Sequence, residues 1–264
     1  MPQKLSVTIL TYNEEHRIGA CLESVRDIAD EIIVVDSMSS DRTVEICKSY
    51  GCRISSREFG GYGAMRQYAT SLTTNSYVLS IDADEVVSDE MRTSIIRLKE
   101  EGFTHRVYRV NRLNFYCGYP VRHCGWYPDW AIRLFDKRYA NWNLRDIAER
   151  VIFRDSVNPE PINGDLLHYH CASPQEYRDT QNRHAVIRSR VLAVSHNSVG
   201  LFTPFIKGVA AFFDTYIKKG GWLDGMVGRN ISYEEFRAVR QSYRLARELQ
   251  HNDATEIHEE LRPR

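Results

Sequence analysis

Residues 77–85 have the sequence YVLSIDADE, an apolar run followed at once by a cluster of acidic side chains. The run Tyr77–Ile81 has the length and composition of a strand buried in a sheet. Because side chains alternate along a strand, Asp82 and Asp84 are predicted to lie on the same side of its end. Two such carboxylates suit Mg²⁺ or Mn²⁺, and these hard cations suit a diphosphate. The stretch therefore predicts an α/β protein that uses an activated phosphate ester.

The segments before this stretch alternate between strand-like and helix-like patterns. The predicted strands are Leu5–Leu10, Glu31–Asp36, Arg53–Ser55 and Tyr77–Ile81. The predicted helices are Glu14–Arg26, Arg42–Tyr50, a helix through Met65 and Ala69, and, after the acidic cluster, Asp89–Glu100. This alternation is typical of an open, mostly parallel sheet flanked by helices, in which ligands bind beyond the carboxyl ends of the strands.

The pattern changes after Gly102, where aromatic residues and short strands replace the alternation. The predicted strands are now Val107–Val110, Ala131–Phe135 and Val151–Phe153, and the predicted helices are Gln175–Ser195, Phe202–Lys219 and Ser232–Gln250. We therefore expect an α/β domain over residues 1–173, a C-terminal helical extension over 174–250 and a polar, frayed tail over 251–264.

Composition limits the classes of protein to which the chain can belong. It has 264 residues, 42% of them hydrophobic, which is enough for one large α/β domain with a helical appendage or for two small domains. Basic and acidic residues are equal at 35 each, so no basic excess supports nucleic-acid binding. The six cysteines include no C-x-x-C pair, which predicts reduced thiols in a cytoplasmic protein. We expect neither a secretory leader nor a membrane-spanning run.

Basic residues are concentrated in the C-terminal helical part of the chain. Residues 176–250 contain 12 lysines and arginines against 7 acidic residues. We therefore expect this segment to be the part of the protein that would bind an anionic surface. A stripe at helical spacing in the same segment comprises Phe202, Phe205, Val209, Phe212 and Tyr216. The stripe either packs on the domain or lies on anionic lipid beside lysines such as Lys218 and Lys219.

Acidic residues follow three of the predicted strands. Glu14 follows the first strand, Asp36 ends the second, and Asp82 and Asp84 end the fourth. The carboxyl ends of parallel strands face one crevice, where a carboxylate can accept from a base N–H or a ribose hydroxyl. Each acid alone could equally be a helix cap or a solvated loop residue. Arg66, on the first turn of its helix, could reach a phosphate or a base carbonyl, or be a surface arginine.

Two nucleotide-dependent classes are disfavoured by the glycine pattern. Gly60–Gly63 is neither a Walker motif nor the G-x-G-x-x-G loop of a hydride-transfer enzyme. A nucleotidyltransferase would carry a glycine-rich, basic loop after the first strand, and Tyr12–Glu14 is not such a loop.

The ordered motifs resemble those of family 2 glycosyltransferases with the GT-A fold. The residues concerned are Thr11–Glu15, Val35–Ser37, Ser40–Thr43, Ala64–Gln67 and Asp82–Glu85. One branch of the family, the bacterial lipopolysaccharide core β-glucosyltransferases and their relatives, is similar in three later segments, Trp126–Trp130, Arg133–Phe135 and Lys218–Gly228. The resemblance covers roughly residues 4–250.

The resemblance implies that residues 1–173 form the nucleotide-sugar-binding and catalytic domain. The residues it assigns to the nucleotide are Thr11, Tyr12 and Glu14 at uracil and ribose, Asp36 at the uracil edge, Arg66, and Asp82 at ribose or a metal-bound water. It implies that Asp84 binds Mg²⁺ or Mn²⁺, which neutralises charge on the departing diphosphate. His168 is expected to complete the metal shell or bind the diphosphate, unless it is a satisfied core histidine.

Inverting transfer also needs a general base for the acceptor hydroxyl. In this branch the base is expected to be an acid just beyond the R-L-F strand, where relatives tend to have a histidine–glutamate pair. This chain has Ala148 in place of the histidine, and we expect Glu149 to be the base, with Asp129 as the second candidate. The alternative for Glu149 is a surface salt bridge with Arg150 or Arg145.

Together these inferences predict an inverting, metal-dependent glycosyltransferase. Its donor is expected to be a UDP-sugar, with glucose favoured, and its acceptor a sugar of a membrane glycolipid such as the lipopolysaccharide inner core. We expect it in the cytoplasm or in peripheral contact with the inner face of the cytoplasmic membrane, and without a nucleic-acid partner. The alternative is a non-catalytic module on the same fold that binds a nucleotide sugar or a membrane.

Overall fold

The computed structural model of the protein describes residues 2–144, 149–153, 158–194 and 198–260, except for the side chains of 252–260. The strands are β1 (Leu5–Thr11), β2 (Glu31–Asp36), β3 (Arg53–Ser56), β4 (Tyr77–Asp82), β5 (Glu85–Val87), β6 (Val107–Tyr116), β7 (Tyr119–Pro120), β8 (Asp129–Asp136), β9 (Ala140–Trp142), β10 (Val151–Phe153) and β11 (Glu160–Cys171). The helices are α1 (Ile18–Val25), α2 (Thr43–Ser49), α3 (Tyr62–Leu72), α4 (Asp89–Glu101), α5 (Pro174–Val194), α6 (Thr203–Phe213) and α7 (Gly225–Glu260).

Strands β3, β2, β1 and β4 form the parallel half of a single sheet, in that order. Ile9 is in register with Val34 on one side and with Ile81 on the other, and all three are fully buried. Val34 packs in the same cluster as α1, whereas Val35 packs against Met65 of α3 on the opposite face. Burial on both faces explains the continuous apolar run Ile32–Val35 of β2. The predicted α/β fold, an open sheet with parallel strands flanked by helices, is confirmed.

Beyond β4 the sheet continues with β8, β6, β11 and β5, and β4–β8, β8–β6 and β11–β5 are antiparallel pairs. Only Ala83 and Asp84 separate β4 from β5 along the chain, although β5 is the last strand in this order. The three Cα steps from Asp82 to Glu85 reach about 11 Å at most. The sheet must therefore curl so that β5 returns to the end of β4. The β5–β11 ladder then places Glu85 opposite His168.

Two predicted helices have different bounds in the structure. α1 begins at Ile18 and not at Glu14, because the Glu14 carbonyl accepts from the amides of Arg17 and Ile18 and closes a turn first. The helix predicted to end at Lys219 is α-helical only to Phe213 and continues as a π-helical turn.

The last helix is longer than predicted at both ends. It begins at Gly225 rather than Ser232, and it runs to Glu260 through residues that were expected to be frayed. Glycine weakens a helix, so the sequence around Gly225 and Gly228 did not indicate that α7 begins there. Gly228 lies against the 3₁₀ turn that precedes the helix, where a Cβ would be 1.8 Å from the carbonyl oxygen of Gly221. A side chain at this position would therefore separate the turn from the helix.

The described residues form two compact units, one from residues 1–113 and 128–168 and the other from 114–127 and 169–264. In the second unit α5 and α6 pack on α7. Its core includes Tyr116, Val121, Tyr177 and Ile231, so the segment 114–127 belongs with the C-terminal helices. The functional division expected at residues 173 and 250 stays a prediction.

The structure also describes the apolarity of the helices and the state of the cysteines. No helix in the described part of the chain combines the length and apolarity needed to cross a membrane. All six cysteines are free thiols. Burial raises the pKa of Cys47 and Cys124 to about 12, so these two thiols are unreactive at neutral pH.

Candidate active site

The carboxyl ends of the parallel strands bring three of the predicted site residues to one edge of the sheet. Thr11 is in register with Asp36, and Leu10, the residue before Thr11, is in register with Asp82. Thr11 and Asp36 are buried, and Asp82 is partly exposed. The convergence of strand ends that the sequence predicts is thus present in the fold, while the roles of the three side chains stay predictions.

The loop after β1 is fastened to the loop after β2. Asn13 has a left-handed backbone conformation, with φ of 53°, and its amide donates to the hydroxyl of Ser39. The amide of Glu14 donates to the Thr43 hydroxyl at 2.8 Å. These bonds fix the backbone on both sides of the loop and leave the ring of Tyr12 59% exposed. An exposed aromatic ring in a fixed loop is suited to stacking on a base.

Asp36 and Glu14 have partners within the protein. Both carboxylate oxygens of Asp36 accept from the amide of Ser39, and one also accepts from the Ser39 hydroxyl. Glu14 forms an ion pair with Arg17 at 3.2 Å. A carboxylate has lone pairs for more than one donor. These contacts therefore orient the two acids, and contact with uracil or ribose stays a prediction.

Arg66 is a buried residue of α3 and not a surface arginine. One of its terminal nitrogens donates to both carboxylate oxygens of Asp82, at 2.9 and 2.7 Å, and Arg133 donates to the same carboxylate at 3.2 Å. The guanidinium lies over the ring of Trp142, 4.8 Å from its centroid. Burial alone would raise the pKa of Asp82, but the charges of Arg66 and Arg133 hold it well below its usual value. Asp82 is therefore ionised and engaged by two cations.

Asp84 has a different environment from Asp82. Strand β4 ends at Asp82, so Asp84 lies in the β4–β5 turn and strand alternation, the basis of the same-side prediction, does not apply to it. Its Oδ2 is 3.3 Å from Nε2 of His168, which β11 carries to this point. Burial opposes a charge on His168, but its hydrogen bond with Asp84 and the charge of that carboxylate outweigh burial and raise its pKa.

Asp84 and His168 together provide two possible ligands for a divalent ion. Within the described ranges, no three His, Cys, Asp or Glu side chains are grouped so that they could hold a metal. Nucleotide-dependent enzymes commonly bind Mg²⁺ through one or two carboxylates, with substrate phosphates and water completing the shell. The residues present thus fit an ion that binds together with a diphosphate.

Each of the two candidate bases lies beside an arginine. Oε1 of Glu149 is 3.5 Å from Nε of Arg66, and Oδ2 of Asp129 is 2.8 Å from a terminal nitrogen of Arg112. Glu149 is thus paired with a buried arginine of the site. Of the residues considered with it, Ala148 and Arg145 lie outside the described ranges.

Three charged residues of the site had no predicted role: Glu85, Arg133 and Arg112. A terminal nitrogen of Arg133 donates to Glu85 at 2.9 Å, and a terminal nitrogen of Arg112 lies 3.7 Å from the same carboxylate. Glu85 and Arg133 do belong to motifs that the resemblance picks out, at the end of the acidic cluster and at the start of R-L-F. Arg112 belongs to none of those motifs, and its place follows only from the pairing of β6 with β8.

Comparison with known proteins identifies the family. The family model described as glycosyl transferase family 2 matches residues 6–157, which is more than half of the chain. The protein therefore belongs to glycosyl transferase family 2.

Relatives from two bacterial groups are similar to this chain. An uncharacterized glycosyltransferase of Rickettsia typhi is 35% identical over 196 residues, which cover 68% of this chain and 65% of that protein. The chain thus spans slightly less than two thirds of the length of this relative. The lipopolysaccharide core biosynthesis glycosyltransferase LpsC of Rhizobium meliloti is 24% identical over 234 residues, which cover 85% of this chain and 84% of that protein.

Solved structures of glucosyl-3-phosphoglycerate synthase from Mycobacterium tuberculosis also match part of the chain. The complex with Mn²⁺, uridine diphosphate and glucosyl-3-phosphoglycerate is 24% identical, with a TM-score of 0.36 over 43% of this chain and 44% of that chain. The complex with Mg²⁺ and uridine diphosphate is 22% identical, with a TM-score of 0.36 over 42% and 44%. The matched part is less than half of either chain.

Asp82 and Asp84 should differ in their effect on stability. Asp82→Asn leaves two buried guanidiniums short of a counter-charge, so we expect the free energy of unfolding to fall by about 3 kcal/mol. The matched variant Asp84→Asn weakens one hydrogen-bonded contact, with His168, and should lower the free energy of unfolding by only about 1 kcal/mol. Urea denaturation measures both values. Equal losses would contradict the different environments described for the two acids.

Proposed function

We propose that the protein is an inverting, metal-dependent glycosyltransferase that uses a UDP-sugar, with glucose favoured. Its acceptor would be a sugar of a membrane glycolipid such as the lipopolysaccharide inner core. The observation that carries the proposal is the unequal environment of two neighbouring acids: Asp82 is held by two arginines, whereas Asp84 lies in a turn beside His168. Membership of family 2 supports sugar transfer, and the name of the Rhizobium meliloti relative supports the choice of acceptor.

In this proposal Asp84 and His168 hold Mg²⁺ or Mn²⁺ together with oxygens of the diphosphate. When bound, the ion supplies positive charge that stabilises the diphosphate as it leaves the sugar. The nucleotide of the UDP-sugar would be bound by other residues at the strand ends. Tyr12 would stack on uracil, and Asp36 would contact the uracil edge. Thr11 and Glu14 would lie at uracil and ribose, and Asp82 at the ribose. Arg66 serves the nucleotide by holding Asp82 in place, since the ion pairs described for its guanidinium are with the acids Asp82 and Glu149.

Glu149 is the proposed general base for the acceptor hydroxyl. Inversion requires the hydroxyl to attack from the side of the sugar opposite the diphosphate, while a base within hydrogen-bond reach takes its proton. Oε1 of Glu149 lies 3.5 Å from Nε of Arg66, whereas Oδ2 of Asp129 is held at 2.8 Å by Arg112, so proton uptake by Asp129 would weaken a closer ion pair. The looser contact favours Glu149 over Asp129.

The metal site is tested by Asp84→Ala. Loss of a metal ligand should lower the rate of Mn²⁺-dependent UDP release from UDP-glucose by about 100-fold or more, since an ion contributes several kcal/mol to such a step. Asp89→Ala is the matched control, because Asp89 is an exposed acid at the start of α4 that pairs with Arg92; it should keep the wild-type rate. Unchanged, metal-independent turnover by Asp84→Ala would contradict the proposed mechanism.

The base is tested by comparing Glu149→Gln with Asp129→Asn. Removal of a general base typically costs about 100-fold or more in kcat, so Glu149→Gln should lose that much while its KM for UDP-glucose stays within about threefold. Asp129→Asn should retain most of kcat. Steady-state kinetics with a glycolipid acceptor measures both, and the reverse result would assign the base to Asp129.

The second candidate function is a non-catalytic module that binds a nucleotide sugar or a membrane. It is favoured by one observation, the alanine at position 148 where a histidine is expected beside the base. Calorimetric titration with UDP in Mn²⁺, followed by a donor screen with isolated glycolipids, separates the two functions. Tight binding of UDP with no transfer or hydrolysis of any donor would favour the module.

We also propose that the second unit contacts an anionic membrane surface through α6 and its π-helical extension. Phe202, Ile206, Phe213 and Ile217 recur along one side, each more than half exposed. The other side packs on α7, where a Cβ on Gly208 would be 2.9 Å from a ring carbon of Phe236.

The stripe expected in this segment has both exposed and partly buried members. Phe202 and Phe205 are exposed, whereas Val209, Phe212 and Tyr216 are partly buried. Lys218 and Lys219 lie 3.8 and 2.8 Å from the carboxylate of Asp214, which offsets part of their charge. We therefore expect apolar insertion to contribute more to membrane affinity than these two lysines do.

The membrane contact is tested by Phe202→Ser combined with Ile206→Ser, two side chains that are 72% and 61% exposed. Because each inserted apolar side chain contributes about 1.5–3 kcal/mol, affinity for phosphatidylglycerol vesicles should fall by about tenfold or more. The matched control is Phe59→Ser, an exposed aromatic residue of the first unit that is 54% accessible. Equal vesicle sedimentation of the double variant and the control would contradict the proposed surface.

A further inference from the structure

Glu85 is the most deeply buried charged residue among the described residues of the candidate active site, with 0% of its surface accessible. Burial of a carboxylate costs several kcal/mol unless its partners compensate for the lost water. A carboxylate buried in this way contributes to the site by fixing the positions of the groups that it contacts.

The carboxylate of Glu85 connects the start of the β4–β5 turn to the arginines of the site. One oxygen accepts from the backbone amide of Asp82 at 2.9 Å, and this hydrogen bond joins the two ends of the turn. The other oxygen accepts from Arg133 at 2.9 Å, and Arg112 lies 3.7 Å from it. The same nitrogen of Arg133 also donates to Asp82 at 3.2 Å. Asp82 is thus fixed at its amide and at its carboxylate by one connected set of charges.

The backbone of Glu85 has a second effect, on His168. Glu85 is the first residue of β5, and it faces His168 in the antiparallel ladder with β11. Asp84 immediately precedes it, so the position of β5 decides how close the Asp84 carboxylate comes to His168, now 3.3 Å away. Glu85 is therefore linked to both sides of the proposed metal site, to Asp84 along the chain and to His168 through the ladder.

We propose that Glu85 is the positioning residue of the metal-binding turn: it holds Asp82–Asp84 in the conformation that presents the Asp84 carboxylate beside His168. The inference rests on the proposed function and names a further residue of the same site. Glutamine at this position has the same size but only one acceptor, so its amide group would face either the Asp82 amide or Arg133, donor against donor.

The test measures Mn²⁺ binding by electron paramagnetic resonance, in which the signal of free Mn²⁺ falls as the ion binds, with saturating UDP present. Residues that orient metal ligands typically contribute about 10–100-fold to affinity, so Glu85→Gln should weaken Mn²⁺ binding by about tenfold or more. Its affinity for UDP without metal, measured by calorimetry, should fall by no more than about threefold, because Arg66 still holds the carboxylate of Asp82 in this variant. A purely structural role would not separate these two affinities.

The matched control is Asp136→Asn. Asp136 is also a buried carboxylate that pairs with an arginine, Arg138, but it lies in register with Tyr77 at the opposite end of β4. This variant should lose stability and keep the wild-type affinity for Mn²⁺. Equal weakening of Mn²⁺ binding in both variants would overturn the proposal, because the effect would then be one of general stability.

The remaining outcomes separate the inference from the function on which it rests. Wild-type protein that binds no Mn²⁺ with UDP would contradict the proposed function itself. Wild-type binding with an unchanged Mn²⁺ affinity in Glu85→Gln would overturn the role of Glu85 alone. If Glu85→Gln does not fold by circular dichroism, the double variant Glu85→Gln with Arg133→Gln replaces the charged pair by two amides and is measured instead. It too should lose Mn²⁺ affinity by about tenfold, and an unchanged affinity would overturn the proposal.

Discussion

Two guanidinium groups hold one carboxylate at the end of the central strand β4, and the geometry of the first unit is arranged around this contact. Arg66 reaches Asp82 from α3, and Arg133 reaches it from the neighbouring strand β8. The register of β8 with β4, which pairs Leu134 with Leu79, sets the position of Arg133. Buried charges are tolerated only with close partners, so the helix, the two strands and the turn after β4 must keep their relative positions for the cluster to exist.

This constraint gives different roles to Asp82 and Asp84, two acids of the same motif. Asp82 is engaged by two arginines and acts as an anchor, so a metal bound there would have to displace them. Asp84 lies two residues further on, and the curl of the sheet brings it to His168 on β11. The proposed metal site is thus a consequence of a strand order in which β5 returns to the end of β4.

The sequence predicted most reliably the strands that are buried on both faces of the sheet. Strand β2 has a continuous apolar run because helices cover both of its faces, and the motifs placed Thr11, Asp36 and Asp82 correctly at the ends of β1, β2 and β4. β5 was not predicted, because it has three residues and its partner β11 lies far along the chain. Non-local pairing of this kind leaves no periodic signal near the strand itself.

The same reason explains which site contacts were missed. The resemblance pointed to Asp82 and Arg66, but their direct pairing depends on how α3 packs against β4. The connection from Arg112 and Arg133 to Glu85 depends on the registers of β6 and β8, which no local pattern encodes. The start of α7 was missed for a different reason: Gly225 has a positive φ of 59° and Gly228 packs closely against Gly221, so glycine occupies both positions despite its low helix propensity.

A crystal of the protein grown with UDP and Mn²⁺, with the ion located by anomalous scattering, tests the central claim most directly. An anomalous peak is expected at the carboxylate of Asp84, while Asp82 keeps its contacts with Arg66 and Arg133. A peak bound to Asp82, with the two arginines displaced, would contradict the account.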